Sequence, residues 1–218
     1  MMAIRLQEMH PSLVHLPISL LPVAISADVL GRATGSRALL ETGRRTMQVA
    51  AVGAALSAVS GLIAQEEVNV RDETMDMLIT HRNINLAATV VAGLMAVWRA
   101  GRYRPSLAYL GVGFAGIGAL AYSAYLGGTL VYKHGVGVEP AGGQYRNDPP
   151  ELGVAGETRA FARDAATDLV HGVKHLVQEL AQGKIVPWLT DGRAAQRIQA
   201  SQGAERAAPE RTGSAATT

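Results

Sequence analysis

The first two-thirds of the chain alternates long uncharged stretches with short charged connections. The stretches run from Met9 to Ala27 (19 residues), Thr46 to Gln65 (20), Asn83 to Trp98 (16) and Pro105 to Tyr132 (28). An α-helix rises about 1.5 Å per residue, so about 20 apolar residues cross a hydrocarbon core of about 30 Å. The third stretch reaches that length when its helix begins near Leu78. Helices of a soluble bundle carry a charged outer stripe every three or four residues. None of these stretches has one, and the pattern predicts four transmembrane helices. A cleavable signal peptide does not fit the first stretch, which has no basic lead beyond Arg5 and contains three prolines. Of these, Pro17 and Pro22 are expected to bend the helix and free carbonyls.

Beyond residue 138 the pattern changes. Residues 139–156 are rich in Gly and Pro and read as a linker. From Glu157 to Gln182, Phe161, Ala165, Leu169, Val173, Leu176 and Leu180 recur at helical spacing and predict an amphipathic helix. Ile185 to Leu189, with Trp188, fits a membrane interface. From 190 to 218 Ala, Gly, Ser, Thr, Gln and Arg dominate without period, which implies disorder. The expected fold class is therefore all-α: a four-helix transmembrane bundle over 1–138, a linker, an amphipathic helical segment over 157–189 and a disordered tail. The helix is expected to bind a membrane, the bundle or another protein. Deletion after Gly156 is expected to leave the bundle folded, since its helices satisfy their own backbone groups.

Composition supports this division. Charged residues make up 17% of the chain, against roughly 25% in soluble domains. Residues 1–134 carry 11 Lys/Arg and 8 Asp/Glu, and the remainder carries 9 and 10. No concentrated cationic surface is available for a nucleic-acid backbone. With no cysteine, disulfides, thiolate metal sites, protein-ligated iron–sulfur clusters and Cys nucleophiles are excluded.

Four crossings bring both ends of the bundle to one side. The connections on the other side hold seven arginines, Arg32, Arg37, Arg44, Arg45, Arg99, Arg102 and Arg104. Four basic residues, Arg5, Arg71, Arg82 and Lys133, flank the helices on the first side. The positive-inside rule then predicts cytoplasmic arginine loops, both termini outside, and an inner (cell) membrane location.

Small residues recur every fourth position, as Gly53, Ser57 and Gly61 in the second stretch and as Gly111, Ala115, Ala119, Ser123 and Gly127 in the fourth. Such stripes let helices approach closely in lipid. The threading also collects His10, His15, His81 and His134 at the outward end. Helical phase is expected to turn His15, His81 and His134 inward. Ionisable side chains facing the interior of a membrane bundle usually have a task. Neutral imidazoles can ligate a transition metal such as zinc, copper or iron, with His10 as a further ligand, Glu66 or Glu67 as an oxygen ligand and Asn85 behind them, or two can ligate a haem iron from opposite faces. The plain alternative is hydrogen bonding at the interface, with His10 before Pro11 as a helix cap. In the tail, Asp164, Asp168, His171 and His175 are expected on one polar face, where a solvated surface explains them as well as a metal does.

Four segments resemble a bacterial integral-membrane family known as domain of unknown function 2231: HPSLVHLPISLLP (His10 to Pro22), SGLIAQEE (Ser60 to Glu67), HRNIN (His81 to Asn85) and GGTLVYKHGVGV (Gly127 to Val138). The last is the most specific, and the resemblance spans about residues 8–138. It implies a four-helix membrane domain without an assigned activity. Some members accompany or are fused to Rieske-type ferredoxins, which implies redox partners. The family's second helix ends in a TGL-x-D type segment, whereas here the acid comes later, at Glu66.

The leading functional reading is a membrane protein holding haem b or a transition metal near its outward face, for electron transfer or redox sensing. His15, His81 and His134 are its expected ligands. No Ser-His-Asp grouping, phosphate-binding loop or HExxH motif is present, so an enzyme activity of its own is not expected. Its expected surroundings are the lipid bilayer and a Rieske-type or other redox protein, with self-association as a homo-oligomer left open. The alternative is a cofactor-free membrane scaffold that binds a partner through its tail helix, and a transporter ranks third.

Overall fold

The computed structural model describes residues 6–70, 72–137 and 157–190. The predicted linker and all but the first residue of the predicted disordered tail lie outside the described residues. The regular elements described are helices: α1 (Leu6–Leu13), α2 (His15–Thr34), α3 (Arg37–Ala64), α4 (Asp72–Ala100), α5 (Leu107–Tyr132), α6 (Thr158–Ala181) and α7 (Pro187–Thr190). Four spans, Glu8–Thr34, Arg37–Ala64, Glu73–Ala100 and Leu107–Tyr132, are long and apolar enough to cross a membrane.

The helices run past the charges that bound their uncharged stretches. α3 starts at Arg37, nine residues before its uncharged stretch, and there Glu41 bonds Arg44 at 2.7 Å and Arg45 at 2.5 Å. These i+3 and i+4 pairs support an extension standing in water. α4 starts at Asp72 rather than near Leu78, and Glu73 in its first turn suits the positive end of a helix dipole. The first span is divided at Val14, between α1 and α2. Pro17 lacks the N–H that would bond the Leu13 carbonyl, whereas Pro22 is carried inside α2 without a break.

At the arginine-rich end, Gly35 closes α2 with φ 73° and an N–H bond to the Gly31 carbonyl. The left-handed conformation there is one that only glycine adopts without strain. Ser36 and Ser106 cap α3 and α5 by accepting N–H bonds from Leu39 (3.4 Å) and Tyr109 (3.1 Å). Under these caps Arg99 of α4 and Asp28 of α2 are buried against each other at 2.8 Å.

The bundle closes as a ring, with α2 on α3, α3 on α4, α4 on α5 and α5 back on α2. Its main core joins Leu21, Ile25, Met47, Ala92, Met95 and Tyr109. The outer faces carry exposed Val49, Val52, Leu56 and Val59 on α3 and Val90, Leu94 and Val97 on α4. An apolar exterior of this kind is what lipid requires.

The fourth-position stripe of α3 packs as expected, with Gly53 and Ser57 buried and His10 over Gly61, whereas that of α5 does so only in part. At 3.6 residues per turn, a strict i+4 repeat turns by roughly 40° per step. In α5 Ser123 is buried, but a Cβ on Gly111 would meet nothing within 4 Å. Only the Ser123–Gly127 end of that stripe enters the bundle. The same drift divides the expected face of α6: Phe161 is buried while Val173 and Leu180 are exposed.

The tail docks on the bundle. Gly172 lies over the Leu62 carbonyl at the end of α3, where an added Cβ would approach to 2.4 Å. Gln65 donates to the Gly172 carbonyl at 3.3 Å, and Phe161 packs on Ile63 and Met9. Farther along, Glu179 bonds Arg82 at 2.6 Å, the Asn83 amide donates to the carbonyls of Lys184 and Ile185, and Trp188 N–H donates to Thr80 Oγ1 at 3.0 Å. α6 thus lies across the histidine end of α3, and its last turn reaches α4.

Candidate functional site

The helices that meet at the histidine end leave a cavity of about 460 Å³, within the usual range for small-molecule and cofactor sites. α1 packs on α3 rather than on α5, and the space between α1 and α5 forms the cavity. Its walls are mostly aliphatic, with Pro11, Val14, Ile18, Leu86, Leu120 and Val131 among them. Its polar lining includes His10, Ser57, Gln65, His81, Arg82, Asn85 and Ser123.

His10 and His81 face each other in this cavity, with ring centroids 6.2 Å apart and planes at 85°. The two are held by the same device. His10 Nδ1 donates to the Ser57 carbonyl at 3.0 Å, and its ring covers Gly61, where a Cβ would come within 3.0 Å of Cε1. His81 Nδ1 donates to the Ser123 carbonyl at 2.9 Å, and its ring covers Gly127 at the corresponding 3.0 Å. In each half, a histidine from one helix lies on a Ser-x-x-x-Gly step of a neighbouring helix, α1 on α3 and α4 on α5. A carbonyl acceptor requires the proton on Nδ1 and leaves Nε2 as a lone-pair donor.

Asn85 supports His81. Its amide donates to the His81 carbonyl (2.9 Å) and to Ser123 Oγ (2.7 Å), which uses both protons. Asn85 Nδ2 also lies 3.2 Å from His81 Nε2, so a ligand bound at that nitrogen takes the place of this contact.

The other expected ligands lie elsewhere. His15 was expected to point inward, but it is exposed and its Nδ1 donates to the Pro11 carbonyl at 2.8 Å. One turn beyond Pro11, its phase falls on the outer side of α2. His134, in the turn after α5, is 3.2 Å from Thr74 Oγ1 and does not line the cavity. Glu66 bonds His175 of α6 at 2.9 Å and is likewise outside the lining. Of the named candidates, the structure brings together His10 and His81. Among the described residues no group of three or more His, Cys, Asp or Glu is arranged to hold a metal ion.

The tail quartet does not share one polar face. Asp168 is buried on the docked side, His171 is exposed, and His175 joins Glu66. The sequence signal that identifies the paired site is the Ser-x-x-x-Gly step, present once in α3 and once in α5. Both steps are visible as small-residue stripes, but nothing in the sequence assigns a histidine to each.

A family described as predicted membrane protein (DUF2231) matches residues 7–140 of the chain. Neither a curated protein nor a solved structure matches it.

Proposed function

We propose that this chain, which belongs to the DUF2231 family of membrane proteins, holds a haem b between His10 and His81 and serves as a one-electron carrier or redox sensor. The observation that carries the reading is the matched pair of imidazoles, each fixed by an Nδ1–H bond to a serine carbonyl. That bond is the usual outer-shell support of a metal-ligating histidine, setting its tautomer and orientation. The two rings lie 6.2 Å apart in one cavity, and their Nε2 lone pairs would be the two ligands the chain offers to a haem iron.

Two protein nitrogens suit a haem, whose porphyrin supplies the remaining four donors, better than a bare zinc or copper ion, which takes three or four protein ligands. With no cysteine in the chain, such a haem is held without thioether links. When bound, it supplies reversible one-electron chemistry. The chain contributes the two lone pairs, the glycine surfaces that position both rings, and an aliphatic wall that limits water. By the seven-to-four count of basic residues, the site lies at the outer face of the inner membrane with both termini outside, where a Rieske-type or other redox protein can reach it.

The test is purification from cells supplied with haem precursor, followed by absorbance and pyridine-haemochrome analysis. The expected result is one haem b per chain, lost in His10→Ala and in His81→Ala and retained in His15→Ala and His134→Ala. Protein without a Soret band, or a band that survives His10→Ala and His81→Ala, overturns the reading.

A further inference from the structure

We infer that α6 is an interfacial helix whose exposed apolar face is seated in the bilayer leaflet on the histidine side. The helix has three faces. Phe161, Ala165, Asp168, Gly172 and Glu179 form the one docked on α3 and α4. Roughly 120° round the axis, at 100° per residue, lie Val170, Val173, Val177 and Leu180, which are 66%, 43%, 59% and 44% exposed. The remaining arc is polar, with Arg163, Thr167, His171, Lys174 and Gln178 exposed.

The position of the docked face identifies what covers the apolar one. On α3 the lipid-facing row Val49, Val52, Leu56 and Val59 continues by one helical step to Ile63, and Ile63 is buried because Phe161 of α6 lies on it. α6 therefore crosses the flank of the bundle where the lipid-facing row leaves the membrane. Its contact with Arg82, next to the uncharged stretch of α4, fixes the same level at the other end. A helix held on that flank has one side toward the bundle, one toward lipid and one toward water, in agreement with its three compositions. A large apolar sector beside a charged one is the signature of a helix lying in the interface plane. Ile185 and Leu189, both exposed, extend the apolar side past the helix end.

The chain lacks cysteine, so single variants Val173→Cys, Val177→Cys and Thr167→Cys each accept one fluorescent maleimide label. The labelled full-length proteins are reconstituted in lipid nanodiscs, with folding checked by circular dichroism and monodisperse elution. Labels at 173 and 177 are expected to lose fluorescence to doxyl-labelled lipid and to resist iodide in the buffer, with the reverse at 167. Iodide quenching at 173 and 177 as strong as at 167 overturns the inference in favour of a water-exposed face. Protection of 173 and 177 from both quenchers overturns it in favour of a covering protein chain, and lipid quenching at all three positions overturns the three-face assignment. No readout depends on a bound cofactor.

Discussion

Asp28 and Arg99, on α2 and α4, form a forked ion pair in which Arg99 Nη2 is 2.8 Å from Asp28 Oδ1 and Nε is 3.1 Å from both carboxylate oxygens. Arg99 Nη2 also donates to the Leu40 carbonyl at 2.8 Å, so one guanidinium ties together α2, α3 and α4. The backbone makes room for it: a Cβ on Gly43 would fall 2.5 Å from Asp28 Oδ1.

Removing one partner leaves a buried charge uncompensated, which costs about 3–5 kcal/mol, whereas replacing both with apolar residues is often near neutral. Asp28→Leu alone is expected to lower the unfolding temperature sharply. Asp28→Leu with Arg99→Met should recover most of the loss. Thermal unfolding of the purified variants in one detergent measures both, and equal loss in the single and double variants contradicts the account.

The glycines beneath the two histidines give a test that leaves the ligands intact. Gly61→Ala and Gly127→Ala each place a methyl about 3.0 Å from an imidazole Cε1, which forces the ring to shift, whereas Gly118→Ala meets nothing within 4 Å. The first two are expected to reduce haem occupancy or shift the absorbance maximum, and the third to leave both unchanged. An identical response from all three removes the glycines from the site.

Much of the fold is legible in the sequence because lipid is a demanding solvent: a span without charge has few alternatives to a transmembrane helix. What misleads is the use of charge to locate helix ends, since Glu41 with Arg44 and Arg45, and the acidic start of α4, sustain helix beyond the membrane. The site was half legible. His81 is where its phase on α4 places it, but a phase drawn along α2 sends His15 inward when it faces out. Pairing His10 with Ser57 and His81 with Ser123 joins residues separated by 47 and 42 positions. Only the packing of α1 on α3 and of α4 on α5 makes that connection.

The orientation is tested by reporter fusions. A reporter active only in the periplasm is expected to work when fused after Val138 and to fail within Ala33 to Glu41. The reverse pattern moves the histidines to the cytoplasmic face and with them the class of redox partner.

The tail contacts alter what its loss should do. Glu179→Ala removes the carboxylate from an Arg82 side chain that is 8% exposed, and a buried polar group deprived of its partner costs about 1–3 kcal/mol. Deletion after Gly156 removes that carboxylate together with the bonds to Asn83 and Thr80. It is expected to lower the unfolding temperature more than Glu179→Ala does, while the four spans stay inserted. An unchanged unfolding temperature in the deletion restores a tail independent of the bundle.

The bond between Arg82 and Glu179 also imposes an order on biogenesis. A ribosome delivers α4 to the membrane well before α6 exists, and segments assemble as they emerge. Throughout that interval Asn83 and Gln65 accept from the Arg82 guanidinium, but the Nη2 that meets Glu179 must be solvated by water or headgroups, and its place beside the uncharged stretch rather than within it permits this. The seating of α6 is then the closing event of assembly, and a nascent chain stalled before Glu179 remains an inserted bundle that is not yet locked.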